Sequence, residues 1–244
     1  MSQVHHEIHL EDYFIKKLVK QGWLEGQTSK YDQQRALYPE DVVAWVQAAQ
    51  PDVWDKLVIL QGNDAAKKLL NRIEEVLDTT EGGTVVALRE GIQIAGCGQI
   101  DLSQKQPEDA RNPRLIEKYK ANRLRVVRQL KYCPTREWSI DLVFFINGLA
   151  VATVELKTDF TQDIEAAMRQ YKQDRLPVDP KTKRKEPLLT YKRGAVVHFA
   201  VSDSDIRMTT RLAGANTYFL PFNQGCEGHA GNPAREDGEY PIAY

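Results

Sequence analysis

The chain is poor in cysteine, has no long apolar run and carries almost no net charge, and each shortage removes a class of protein. Cys97, Cys133 and Cys226 are isolated and odd in number, without C-x-x-C spacing. That argues against a disulfide framework or a structural zinc and fits a reducing cytoplasm. No stretch approaches the ~20 apolar residues of a transmembrane helix, and the polar N-terminus lacks a signal-peptide core. A soluble cytoplasmic protein with no membrane partner is therefore expected. There is no G-x-x-x-x-G-K-[ST] phosphate loop, no G-x-S-x-G elbow and no H-E-x-x-H helix, and Gly96-Cys97-Gly98 is too short for a dinucleotide loop. No nucleotide cofactor site is expected, and the glycines read as a turn.

What is present suits one α/β domain: 244 residues, 42% of them hydrophobic, can bury a single sizeable core. The formal charge of −1 hides an asymmetry. Residues 1–110 hold 11 Lys/Arg against 18 Asp/Glu, and the remainder holds 22 against 16. Nine basic residues between Arg111 and Arg136 face few acids in sequence, and Lys181, Lys183, Arg184 and Lys185 form a second run. Either run reads as a solvated basic face or as a surface for phosphate.

Ser139 to Lys157, S-I-D-L-V-F-F-I-N-G-L-A-V-A-T-V-E-L-K, reads as a β-hairpin reversing at Asn147-Gly148, with its charges confined to the open end. Glu155 and Lys157 share a face because strand side chains alternate. A two-residue turn would pair Asp141 with Val154 and put it on the opposite face. A three-residue loop, Ile146-Asn147-Gly148 with Gly148 left-handed in a G1 bulge, pairs Phe145 with Leu149 and Asp141 with Thr153. That register gathers Asp141, Glu155 and Lys157 on one face and leaves Ile140, Leu142, Phe144, Ile146, Ala150, Ala152, Val154 and Leu156 on the other, so the bulged loop is the expectation. Two carboxylates beside a lysine suit a hard divalent ion that activates water against a phosphodiester, because Mg²⁺ needs only one or two carboxylates plus waters and substrate phosphate oxygens. The alternative is a surface ion pair at a strand end.

Ile140-Asp141 followed by Glu155-Leu156-Lys157 resembles the PD-(D/E)xK nuclease motif, and its wording is similar to the N-terminal nuclease domain of the restriction (motor) subunit of type I restriction enzymes. Further matches are Gly22-Trp23, Asn147-Gly148, Gln170-Tyr171 with Asp174-Arg175, Val197-His198-Phe199, Met208-Thr209-Thr210 and Phe219 to Asn223. The resemblance implies a restriction-endonuclease-like mixed β-sheet flanked by helices and a type I site-specific deoxyribonuclease acting on double-stranded DNA. Mg²⁺ is the implied cofactor, with ATP used only through motor domains outside this chain, and methylation and specificity subunits are the implied partners. It makes Asp141, Glu155 and Lys157 the catalytic residues. Asp141 and Glu155 would hold the metal, joined by Glu11 of the first helix, for which an exposed helical acid is the other reading. Related nucleases carry Gln-x(3)-Tyr on the next helix. With Tyr171 as that tyrosine the glutamine position is Ala167, and Gln170 is the substitute. Gln170, Tyr171, Lys172 and Arg175 are candidate DNA contacts, with Tyr171 equally readable as core.

Elsewhere, residues 10–21 predict a helix, and 39–49, 51–60 and 64–77 predict three more, the last capped by Asn63, forming a helical subregion over about 36–80 with Trp45 and Trp54 in its core. Residues 84–89, 124–130 and 195–201 predict strands, with His198 a core histidine. Thr161 is a plausible cap for an amphipathic helix carrying Ile164, Ala167, Met168 and Tyr171, and 177–187 a mobile basic loop. His5, His6 and His9 read as a frayed terminus. Residues 1–225 are expected to form the nuclease domain, and 226–244 a connector toward a missing motor domain. Two other functions stay open: a catalytically silent DNA-binding or subunit-docking module, and a standalone repair-type nuclease.

Overall fold

The computed structural model describes residues 3–109, 111–157, 164–202 and 205–222. The expectations for Thr161, for Cys226 and for residues 226–244 lie outside the described residues, as do the side chains of His5 and His6.

Helix α1 (Gln3–Lys20) buries Leu10 and Ile15 and packs Phe14 and Leu18 against the same cluster, then stops as Gly22 turns the chain at φ 94°. Strand β1 (Leu24–Glu25) follows. Three helices come next: α2 (Pro39–Ala49), α3 (Pro51–Gln61) and α4 (Ala65–Asp78). Proline opens the first two, where a missing N–H costs no hydrogen bond. The expected Asn63 cap does not form. Asn63 lies in a 3₁₀ turn, Gly62–Asp64, and Asp64 flanks α4 without a side-chain bond.

Residues expected as a strand at 84–89 are instead helix α5 (Thr84–Glu90). A run as short as Val-Val-Ala-Leu has no period to settle the choice. Long-range bonds settle it: the Thr84 hydroxyl meets Arg193 O at 2.9 Å and Gly194 O at 2.7 Å, anchoring the first turn. Strands β2 (Ile92–Ile94) and β3 (Gly98–Ile100) make a small hairpin whose turn contains Gly96. Helix α6 (Pro113–Lys120), which sequence periodicity did not announce, is capped by the Asn112 side chain accepting from Leu115 N. The helices α2 to α5 and the β2-β3 hairpin share a core around Trp45, Leu57, Leu69 and Ile73, with Trp54 packed at its margin.

The remaining elements are β4 (Leu124–Lys131), β5 (Ser139–Ile146), β6 (Leu149–Leu156), α7 (Ile164–Gln173), β7 (Val197–Val201), β8 (Ile206–Thr209) and β9 (Leu220–Pro221). Among the described residues they complete a seven-stranded sheet in the order β1-β4-β5-β6-β7-β8-β9. Pairs β1-β4 and β6-β7 are parallel and the others antiparallel, α7 lying in the crossover between β6 and β7. Helix α1 covers one face through Leu142, Val154, Leu156 and Val201. The opposite face packs Val143 and Phe145 against Tyr31, Tyr38 and Tyr171. A mixed sheet flanked by helices, of the restriction-endonuclease-like type, is thus what the chain forms. No described helix is long and apolar enough to cross a membrane.

The central hairpin reaches its geometry by a different register from the one expected. Asn147 (φ 49°) and Gly148 (φ 83°) make a two-residue reversal with Ile146 opposite Leu149, so the three-residue loop is not formed. The extra residue sits instead at Val151, since Phe145 faces Ala150 while Phe144 faces Ala152. Beyond this bulge Leu142 pairs with Val154 and Val143 with Thr153, so Thr153 does not face Asp141, whose Oδ2 instead accepts from Leu156 N. The bulge inverts the residues between it and the tip. Ala150 therefore joins Val143 and Phe145, and Ile140 clusters with them too, while Leu142, Val154 and Leu156 keep the α1 face. Burial at the tip explains the short turn. Asn147 accepts from Arg123 N at 2.7 Å and donates to Leu102 O at 3.0 Å and Asn122 Oδ1 at 2.8 Å. The Gly148 carbonyl accepts from Tyr38 N at 2.8 Å.

Candidate active site

The tip of the hairpin is fixed by the helical subregion, which leaves its other end to present charge. Glu155 lies in the middle of the sheet between β5 and β7 and is fully buried. Lys157, two residues on, falls on the same face, is buried as well, and donates its backbone N–H to Val201 O at 2.8 Å. Asp141 is half-buried, and its Oδ2 accepts from Leu156 N at 2.7 Å. The structure therefore brings Asp141, Glu155 and Lys157 to one end of one hairpin.

Burial and the neighbouring Asp141 charge push the Glu155 carboxyl up to about 8, against the pull of Arg175 and Lys157. Its two oxygens are unequal. Oε1 takes the Arg175 Nε at 2.6 Å, whereas Oε2 is buried with no hydrogen-bond partner among the described residues. A buried carboxylate oxygen left in that condition is costly unless another ligand meets it. Arg175 arrives because Asp174 N and Arg175 N both bond to Gln170 O, at 2.8 and 2.9 Å, folding the chain back at the end of α7.

Glu11 reaches the same end from α1, on the other face of the sheet. It is buried, and it shares a donor with Asp141: Gln129 Nε2 is 2.6 Å from Glu11 Oε1 and 3.1 Å from Asp141 Oδ1. Sequence reading missed Gln129. The available signal was Arg128-Gln129, two consecutive polar residues that break the in-out alternation after Val126-Val127.

The four candidates on α7 and just beyond it are placed differently. Arg175 is in the site as the partner of Glu155. Gln170 is half-buried, and its Oε1 is buried without a partner among the described residues. Lys172 is half-buried on the same helix. Tyr171 is completely enclosed, its hydroxyl 2.8 Å from Thr153 Oγ1, which also meets His198 Nδ1 at 2.7 Å. Burial pushes His198 down to about 3, so this imidazole is neutral. Tyr171 and His198 thus form the floor beneath Glu155, and the tyrosine does not face solvent.

Most of the first basic run is committed to acids. Arg123 and Arg125 bind the buried Asp41, Arg125 also meeting Glu40, and Arg128 bonds Asp12 at 2.7 Å. Lys118 pairs with Asp101, Lys131 with Glu137 and Arg136 with Asp179. Most of the acids come from the acid-rich N-terminal half, so folding offsets part of the asymmetry seen along the sequence. Lys181, Lys183, Arg184 and Lys185 stay exposed and make no ion pair among the described residues. Their loop carries a hydrogen-bonded turn: Asp179 Oδ1 accepts from Lys181 N and Thr182 N, and Val178 bridges to Lys185.

The acids at the open end offer oxygen atoms, the kind a hard cation takes, and Glu155 Oε2 has no partner among the described residues. Among the described residues no three His, Cys, Asp or Glu side chains form a finished cage.

No curated protein matches the chain. The family model described as the type I restriction enzyme R protein N terminus matches residues 6–217, most of the chain's length, and the chain belongs to that family.

Proposed function

We propose that this chain is the Mg²⁺-dependent DNA endonuclease module of a type I restriction complex, hydrolysing double-stranded DNA beside methylation and specificity subunits, with ATP consumed by motor domains of the R protein. Family membership supports a restriction role on DNA within a multi-subunit enzyme. The observation that carries the chemistry is Glu155: a fully buried carboxylate with one unpartnered oxygen, beside Asp141 and Lys157.

Asp141 and Glu155 would hold the cation, with Glu11 near enough to assist. When bound, Mg²⁺ supplies Lewis acidity toward a phosphoryl oxygen and makes water a better nucleophile. Lys157, enclosed on the face of Glu155, orients that water and offsets the charge that develops on the phosphate. Arg175 pulls Glu155 back toward its ionised form, against burial and Asp141, and fixes its carboxylate plane. Gln170, with its buried oxygen unpartnered, orders the Lys157 side of the site, and Lys172 is placed to meet the DNA backbone.

A silent docking module would draw on the Arg175–Glu155 pair as its structural ion pair, but that pair satisfies only one of the two oxygens. Lys157→Ala separates the readings. In a complete restriction complex the variant is expected to keep DNA binding and lose cutting by at least a hundredfold. Undiminished restriction by the variant complex would discard the nuclease assignment.

A further inference from the structure

Gln129 interrupts its strand. Its φ of 47° lies in the left-handed region that residues other than glycine seldom adopt, and the β4-β5 ladder passes over it: Arg128 pairs with Leu142 and Leu130 with Ile140, with no pair between Gln129 and Asp141. Backbone held in such a conformation persists where its surroundings fix it, and it clusters at functional sites. Here the side chain shows what the distortion accomplishes. The amide nitrogen sits between Glu11 and Asp141, at 2.6 and 3.1 Å, and the amide oxygen accepts from Ser139 Oγ at 2.9 Å.

We infer that Gln129 is a positioning residue that holds Glu11 of α1 and Asp141 of β5 side by side as joint oxygen ligands of a divalent cation, an inference resting on the metal-dependent reading above. Two carboxylates drawn together repel unless a donor stands between them. A lysine or arginine there would offset the repulsion but would also cancel the charge that attracts the cation. A neutral amide offers hydrogens to both acids and leaves their charge intact. Its third bond, from Ser139, orients the amide so that nitrogen and not oxygen faces the acids. Gln129 gathers this pair on the α1 side, at the same end of the hairpin as Glu155 and its orphaned oxygen. Ligand-supporting residues of this sort typically change metal affinity by ~10–100-fold when removed.

The competing explanation is that Gln129 merely ties α1 to the sheet. Two variants separate them, both suited to left-handed backbone: Gln129→Gly, and Gln129→Asn, whose shorter amide cannot span the acids. Mn²⁺ binding to the 244-residue chain would be followed by electron paramagnetic resonance, with and without duplex DNA, beside metal-free melting curves and Asp141→Ala as the control. The expected result is a melting temperature for Gln129→Gly lowered by no more than about 5 °C, relief of the left-handed backbone offsetting the lost hydrogen bonds, with Mn²⁺ affinity of both variants lowered by about tenfold or more. Affinity within about threefold of wild type, while Asp141→Ala abolishes binding, would overturn the positioning role and leave the nuclease reading standing. Collapse of the melting temperature in both variants would assign Gln129 to stability and overturn it as well. Wild-type protein without any Asp141-dependent Mn²⁺ signal would bring down the metal reading, and this inference with it.

Discussion

The two ends of the β5-β6 hairpin are built on opposite terms. At the tip, Asn147 employs its backbone N–H, both amide hydrogens and its amide oxygen, all within the protein. A Cβ on Gly148 would stand 2.5 Å from Tyr38 O and 2.6 Å from Val42 Cγ2. At the open end Glu155 is equally buried, yet one of its oxygens has no partner among the described residues and its carboxyl is pushed toward neutrality. The tip is satisfied and stabilises the fold. The open end holds a buried acid that is incompletely partnered, and the tip supplies the rigidity that keeps it in place.

The contrast breaks most readily at the tip. Gly148→Ala adds a methyl group against a backbone oxygen in a left-handed conformation, and the expected cost is about 3 kcal/mol or more. Asn147→Ala leaves buried groups of Arg123 and Leu102 unpaired, at about 1–3 kcal/mol. Urea unfolding of the metal-free chain measures both. A loss under about 1 kcal/mol for Gly148→Ala would mean the tip yields, and the division of labour between the two ends would not hold.

A smaller effect, of opposite kind, is expected at Glu155. Its folded carboxyl titrates at about 8 against an ordinary value of 4.5. Between those values the folded state holds a proton that the unfolded state lacks, so the stability from this group is complete below the ordinary value and drains away as pH rises through about 8. Metal-free wild type should therefore lose roughly 1–3 kcal/mol relative to Glu155→Gln between pH 5 and pH 8. Cation binding requires the ionised acid, so its affinity should rise by up to about tenfold per pH unit over the upper part of that range. Parallel urea midpoints for the two proteins across pH would contradict the buried, destabilised acid.

Much of this contrast was written in the sequence, but not its mechanism. Proline-led helices at 39 and 51, the Asn-Gly reversal and the charge-free length of the hairpin are local signals and were readable as such. The register was not. A bulge at Val151 carries no glycine to mark it, and a short turn plus a remote bulge yields the same shared face as the longer loop the pattern suggested. Gln129 escaped because left-handed backbone on a glutamine has no sequence signature. Arg175 looked like a DNA contact because sequence separation hides the fold at the end of α7 that returns it to Glu155. The helix at 84–90 depended on Thr84 meeting residues 193 and 194, a contact no local window contains.

The same distinction between satisfied and unsatisfied charge divides the two basic runs, and it yields the smallest expected effect on stability with a clear effect on DNA. Arg123, Arg125 and Arg128 already hold carboxylates, so offering them to phosphate would first break pairs, one of them with a completely buried aspartate. Lys181, Lys183, Arg184 and Lys185 stand exposed on a tight turn without such commitments. Each phosphate contact contributes about 0.9 to the slope of log affinity against log salt concentration on duplex DNA. Changing the four to alanine should leave unfolding within about 0.5 kcal/mol of wild type and reduce that slope by at least about 1. Arg128→Ala should leave the slope unaltered, because the charge it removes is already neutralised within the fold. A slope that fell with Arg128→Ala and held in the fourfold variant would reverse the assignment, and DNA would then approach along β4, over the acids that Gln129 gathers.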